Sequence, residues 1–398
     1  AAIRDYLHAP DVVGVQEAEN LTVLQDLAAR IDADALAAGQ AAPGYQAFLL
    51  EGNDIGGIDV GFLASSRVTV QSVVQHGLTD TYVDPSDGSV DLLNDRPSLS
   101  LRATVAAAPG TLPAEVVVVV NHLRSLNDVD TPRVQAKRLA QAEYVARLLG
   151  DLRAQYPGVP VVSVGDYNAF EVNDGYVDVL GIVRGAPAPA TEVVAFGGDL
   201  LTPDFLLAPV VANTPADQTY SYSFDGNAQS LDHVLVSVEA AQVLTAFDHA
   251  RVNADFPEVL RGDAARVERT SDHDPAIAYF RFATDSTPPV ITVPAAQTVT
   301  AQGPLGAVVT YTATAVDDLD GPVPAVCTPA SGTLFPNGPT TVTCTAADSI
   351  GNTSSASFVV TVVAPSTAGL VAGASTQGAG AAATQVILTA ARTSGGDA

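Results

Sequence analysis

Five consecutive valines, Val116–Val120, lead directly into Asn121 and His122. A strand with one wet face alternates apolar and polar residues. This run does not, so it must be covered on both sides. That demand excludes a single exposed sheet and calls for an interior strand in a layered α/β fold. The stretch "VVSVGDYNAFEVND" has the same character. Val161–Val164 read as a buried strand, Gly165 interrupts the run, and Asp166 and Asn168 follow. "DVVGV", "IDVGFLA", "LDHVLVSV" and "AIAYFRF" add further strands. Between them, Leu21, Leu24, Ala28 and Ile31 fall on one helical face. Pro132 opens a second helix expected to run through Leu149, with Gly150 as its stop signal. Strands outnumber helices, and the region from Asp11 to Phe282 is expected to be one mixed α/β domain.

Composition shifts at "ATDSTPPV". After Pro289, Val and Thr alternate with turn residues and no helical period is visible, which predicts an antiparallel β-sandwich. From Ala364 the chain is rich in Ala, Gly, Ser and Thr, the composition of a flexible linker, and "TQVILTAAR" reads as a further strand. The expected domains are therefore 1–283, 284–363 and a linker or further segment over 364–398. The two cysteines, Cys327 and Cys344, have sixteen residues between them, a spacing that suits one small-loop disulfide and no metal cluster. An oxidising, extracytoplasmic setting follows if they pair. No run approaches the ~20 apolar residues of a membrane span. The sequence lacks Met and a signal peptide, so it is expected to be a processed form or a piece of a longer chain.

Net charge is -26, and Lys137 is the only lysine. So acidic a surface repels nucleic acid and acidic membranes at long range. A phosphate substrate would need a local cation. The strand ends supply residues able to hold one. Gln16 and Glu17, Asn121 and His122, and Asp166 and Asn168 each follow an apolar strand, while Asp232 with His233 and Asp272 with His273 sit at or before the start of one. Ligand sites in α/β sheets gather where strand ends meet loops. Converging carboxylates repel one another unless a hard cation sits among them, and oxygen-rich ligands suit Mg²⁺, Mn²⁺ or Ca²⁺.

In this order the motifs "VVGVQEAEN", "NDIGGIDVGFLASSRV", "DRPSL", "VVVNHLRS", "VGDYNAF", "SLDHVLVS" and "SDHDPAIA" resemble the endonuclease/exonuclease/phosphatase superfamily, and within it the large secreted bacterial nucleases. The resemblance implies a four-layer α/β/β/α sandwich with the site at one end of the paired sheets. It also implies roles. Glu17 is the metal-binding glutamate, and Asp272 a metal ligand or its neighbour. His122 contacts the phosphate or aids the leaving group. Asp166 and Asn168 orient water and phosphate, and Asp232 steers the last histidine, His273. Asn121, Arg124 and Arg96 are candidate substrate contacts. Relatives begin with a strand bearing an Asn; only fifteen residues precede Gln16, so this strand is expected to be missing. Asp285–Val363 resembles a hyalin repeat, an immunoglobulin-like extracellular module. In that family the two cysteines pair, and adhesion to an extracellular partner is the usual suggested role.

The leading expectation is a secreted, metal-dependent nuclease acting on DNA or RNA. One alternative keeps the site but takes a phospholipid or phosphomonoester. Another is a non-catalytic cell-surface adhesion protein that retains the fold.

Overall fold

A computed structural model describes residues 2–106, 112–196, 203–263, 266–282, 285–349 and 351–365. The chain divides into two compact units, Ala1–Thr284 and Asp285–Ala398. The expected linker and the "TQVILTAAR" strand fall, from residue 366 on, outside the described residues.

After a short π-helical turn, Ala2–Tyr6, the first unit runs through β1 (Val12–Ala18), α1 (Leu21–Ala37), β2 (Gln46–Leu49), β3 (Asp59–Ala64) and β4 (Val68–His76). A hairpin, β5 (Thr81–Val83) and β6 (Val90–Leu92), precedes β7 (Ser98–Val105), β8 (Ala114–His122), α2 (Pro132–Gln155), β9 (Val161–Asp166) and α3 (Val179–Arg184). The unit closes with β10 (Leu206–Leu207), α4 (Ala208–Val211), β11 (Tyr222–Phe224), β12 (Asn227–Gln229), β13 (Asp232–Val236), α5 (Val238–Val243), β14 (Leu244–His249) and β15 (Ala276–Phe280). One sheet has the order β1-β3-β2, and a larger one β10-β13-β9-β8-β7-β4. Only the β8–β9 pair in the larger sheet is parallel, and α2 makes the crossover between them.

The valine run explains the layering. Val117 and Val119 point to one side and pack with Ala142, Val145 and Leu149 of α2. Val118 and Val120 point to the other side, against Phe62 and Ala64 of β3. On the outer face of the small sheet, Leu24, Ala28 and Ile31 of α1 meet Leu49 and Leu63. The layers are therefore α1, small sheet, large sheet, α2: a four-layer α/β/β/α sandwich. Fully burying a side chain such as Leu149 contributes about 1.5–3 kcal/mol, so the shared core between helix and sheet dominates the unit's stability.

Two local expectations are corrected. Gly150 does not stop α2, which runs on to Gln155. Leu152 enters the same core as Leu149, and its burial outweighs the roughly 1 kcal/mol cost of a mid-helix glycine. Gly165 does not break its strand, since β9 continues to Asp166. Its φ is +136°, and a Cβ there would lie 2.0 Å from the Asn121 carbonyl oxygen. Glycine is what allows β8 and β9 to stay paired up to the polar ends.

Among the described residues β1 pairs only with β3, and β15 only with β14. Between these two strands runs a groove of about 460 Å³, lined by Val12, Val118, Val162, Val164 and Ile277, with Asp232 also on its wall.

The second unit is all β: β16 (Val290–Thr292), β17 (Gln297–Thr300), β18 (Ala307–Val309), β19 (Thr314–Asp317), β20 (Gly321–Val323), β21 (Val326–Thr328), β22 (Thr333–Phe335), β23 (Gly338–Ala347) and β24 (Thr353–Val363). The sheets are β16-β19-β20, β17-β24-β23-β21 and β18-β22. Alternation along β23 and β24 turns Val342, Cys344, Phe358, Val360 and Val362 inward onto Phe335. Cys327 and Cys344 lie directly opposite each other on β21 and β23 and form a disulfide.

Candidate active site

Strand register builds the site. His122 at the end of β8 pairs with Asp166 at the end of β9, and Asp166 pairs with Asp232 at the start of β13. Residues directly opposite on adjacent strands share a face, so these three side chains form a row across the large sheet. Asp166 and His122 are largely buried, and His122 Nε2 lies 3.6 Å from Asp166 Oδ2.

The fourth member comes from the loop before β15. His273 Nδ1 donates to Asp232 Oδ2 at 2.6 Å. Tyr222 packs against the imidazole with ring centroids 4.6 Å apart. Burial opposes charge on His273, but the hydrogen bond to Asp232 and the nearby Asp232, Asp166 and Asp272 carboxylates outweigh it. The imidazole is pushed up to about 9. His122 goes the other way. Burial, reinforced by Arg96 and His273, pushes it down to about 3, so it is neutral at ordinary pH, and its buried Nδ1 has no hydrogen-bond partner among the described residues. Burial and then the Asp232 charge raise the Asp166 carboxyl well above the usual carboxylate range. One histidine of the cluster is thus neutral and the other charged.

Asn168 sits in the left-handed region, φ +47°. This turn lets its backbone N–H donate to Asp166 Oδ1 at 2.7 Å and its side-chain amide donate to Asp166 Oδ2 at 3.0 Å. Asn168 therefore fixes both oxygens of the carboxylate. Glu17 lies on an irregular stretch of β1, where the register shifts between Val15 and Ala18, and takes φ +57°. It is exposed, and its carboxylate makes no hydrogen bond or ion pair among the described residues. Asp272 pairs with Arg261 at 3.3 Å.

The candidate substrate contacts fall in different places. Asn121 is fully buried. Its amide is taken up by Ser98, Ser163 and Tyr167. As the neighbour of His122 on one strand, it points to the opposite face. Arg96 donates to the His122 and Leu123 carbonyls and pairs with Asp54 at 3.6 Å. Arg124 is half-buried and donates to Ser125 and to the Asn127 carbonyl.

Three supporting residues escaped the sequence reading. Ser221 is fully buried; its hydroxyl donates to Asp232 Oδ2 at 2.7 Å and accepts the Leu231 and Asp232 N–H groups. Arg138, also buried, ties the Arg124 and Asn168 carbonyls together and pairs with Asp174 at 3.1 Å. Tyr222 packs against the His273 ring at a tilt of 33°. Nothing in the spacing of these residues marks them, because their partners are 10 to 51 positions away in sequence. Asp174 was visible as the last residue of the stretch "VVSVGDYNAFEVND", but without its partner.

Asp166, Asp232 and His273 each place one ligand atom within 4.8 Å of the other two. With His273 Nδ1 taken by Asp232, the carboxylate oxygens are what this group offers a hard cation. Among the described residues no helix is long and apolar enough to cross a membrane.

No curated protein matches the chain. Solved structures similar to it include truncated Caenorhabditis elegans TDP2, at 16% identity and TM-score 0.41, covering 70% of this chain and 88% of that one. An endonuclease/exonuclease/phosphatase family protein from Bacteroides thetaiotaomicron is 15% identical, TM-score 0.43, with 70% and 85% covered. The human Nocturnin catalytic domain is 14% identical, TM-score 0.38, with 61% and 73% covered. Residues 284–362, the C-terminal β-sandwich, match the HYR domain family model.

Proposed function

We propose that residues 11–282 form a divalent-metal-dependent phosphodiesterase, and that its substrate is nucleic acid outside the cell. One arrangement supports this reading above all: His122, Asp166 and Asp232 in a row on three adjacent strands, with His273 held against Asp232. Glu17 and Asp272 would hold Mg²⁺, with Mn²⁺ or Ca²⁺ as the other candidates. When bound, such a cation offsets charge on the nonbridging phosphate oxygens and the departing alkoxide.

The chain's own residues do the rest. With Nδ1 committed to Asp232, His273 presents Nε2 to the substrate, and as an imidazolium it offers the phosphate both a positive charge and a proton donor. Asp166, fixed at both oxygens by Asn168 and raised in basicity by burial, is placed to take a proton from the attacking water. His122 is neutral and supports the Asp166 carboxylate from the other side. Arg124 is the remaining candidate phosphate contact. A lipid substrate would call for an exposed aromatic membrane loop, and a chain with no Trp and 6% aromatics is poorly equipped for one. The HYR match and the disulfide support the extracellular setting.

The test is to incubate the full chain with plasmid DNA, RNA, sphingomyelin and a phosphomonoester, each with Mg²⁺, Ca²⁺ or EDTA. Cleavage of nucleic acid should vanish in EDTA and return with Mg²⁺. Glu17→Gln should keep the fold and lose about two orders of magnitude or more in rate. Full activity in EDTA would sink the metal role.

A further inference from the structure

A second carboxylate cluster lies in the β-sandwich. Residues 285–363 contain five aspartates, Asp285, Asp317, Asp318, Asp320 and Asp348, and no Glu, Lys, Arg or His. No side chain of this segment can therefore neutralise a buried acid. Yet Asp285 and Asp317 are both buried, and with the exposed Asp318 each offers one oxygen within 4.8 Å of the other two.

Asp317 is the informative member, with only 3% of its surface exposed. Its Oδ1 accepts the Leu319 and Asp320 backbone N–H groups at 2.9 and 3.0 Å. Its Oδ2 is shut off from solvent and has no hydrogen-bond partner among the described residues. A turn cap needs only the first oxygen. An ionised carboxylate with its second oxygen buried and unpaired is costly unless a cation accepts it.

We infer that Asp285, Asp317 and Asp318 form a Ca²⁺ site at one end of the sandwich. The donors are all oxygen, and the cysteines of this unit are joined in a disulfide, which leaves no soft ligand for zinc or copper. Ca²⁺ accepts mixed carboxylate, carbonyl and water ligands in irregular geometry, whereas Mg²⁺ demands a near-ideal octahedron. The ion would tie the segment Asp285–Thr287, where Asp285 Oδ1 accepts the Thr287 N–H, to the turn between β19 and β20. Its affinity belongs in the range of extracellular modules, Kd of about 10⁻⁴–10⁻³ M. None of this depends on the proposed phosphodiesterase.

The experiment is calorimetric titration of the full chain with CaCl₂ after EDTA treatment and dialysis. A Glu17→Gln/Asp166→Asn background keeps the other candidate site from contributing. One Ca²⁺ should bind, and the unfolding midpoint of the sandwich should rise with Ca²⁺. Asp318→Asn changes an exposed residue and should weaken binding about ten-fold or more. Asp317→Asn keeps an oxygen for the two turn N–H groups and should abolish binding. Ca²⁺ should hold against a ten-fold excess of Mg²⁺. Any of three results would overturn the site: no binding at about 1 mM Ca²⁺, wild-type affinity in Asp318→Asn, or an Asp317→Asn midpoint that rises equally with and without Ca²⁺. The last would identify Asp317 as a turn cap alone. Displacement by equimolar Mg²⁺ would overturn the choice of ion.

Discussion

Asn121 and His122 are neighbours with opposite fates, and the pleat is the reason. Successive strand residues face opposite sides of the sheet. His122 therefore shares a face with Asp166, while Asn121 turns to the helical side and is satisfied by Ser98, Ser163 and Tyr167. His273 and Asp232 form a unit joined by a 2.6 Å hydrogen bond. On the proposed function, Asp232→Asn and His273→Ala should each cost rate, and the double variant little more than the worse single one. Additive losses in log rate would show that the pair does not act together. A second prediction concerns stability. Burial, with Arg251 behind it, pushes His249 from 6.5 down to about 4. Below pH 6.5 the unfolded chain takes up a proton that the folded chain refuses until about pH 4. Stability should therefore fall as pH drops through that window, by on the order of 3 kcal/mol from this residue. His122 acts in the same direction and to lower pH. Urea midpoints at pH 7 and 4.5 should differ less in His249→Gln than in the wild type. An unchanged difference would remove His249 from the account.

At the level of elements, the starts of the two long helices, α1 and α2, were readable, and the end of α2 was not. Asn20 and Thr131 cap α1 and α2 through their side chains, and Pro132 takes the first helical position, all local signals. The end of α2 depends on Leu152 reaching a core built by β8, β9 and α3, which no local window contains. The glycine inside it has open space where a Cβ would go. Gly150→Ala should thus stabilise the protein by about 0.4–1 kcal/mol, read as a higher urea midpoint at unchanged slope. A lower midpoint would mean that the glycine is needed for the helix's path. Glu17 makes the converse case. Its place beside Gln16 at the end of an apolar strand marked it, but only the register shift in β1 and its positive φ set where its carboxylate stands.

The whole molecule is two units with different sources of stability. Among the described residues the first has four packed clusters of buried apolar side chains. The second has one small core and a disulfide across 17 positions. Closing a loop of that size contributes about 3 kcal/mol in the chain-entropy model. Reduction, or Cys327→Ala with Cys344→Ala, should lower the sandwich's unfolding midpoint by more than about 10 °C, with the α/β unit's transition unmoved. Coincident shifts of both transitions would show that the two units do not unfold independently. The sequence alone determined the layered α/β class, because an unbroken valine strand needs cover on both faces. It also determined the all-β character of the second unit, from alternation, and the identities of His122, Asp166, Asn168, Asp232 and His273 as candidates, from their places at strand ends. Only the tertiary structure decided which of these meet. Register across β8, β9 and β13 assembles the row, burial keeps His122 neutral while the carboxylates around His273 hold it charged, and partners far away in the chain, Ser221 and Arg138, hold the parts in place. Local sequence carries periodicity and caps; contacts between distant segments and the dielectric they create exist only once the chain has folded.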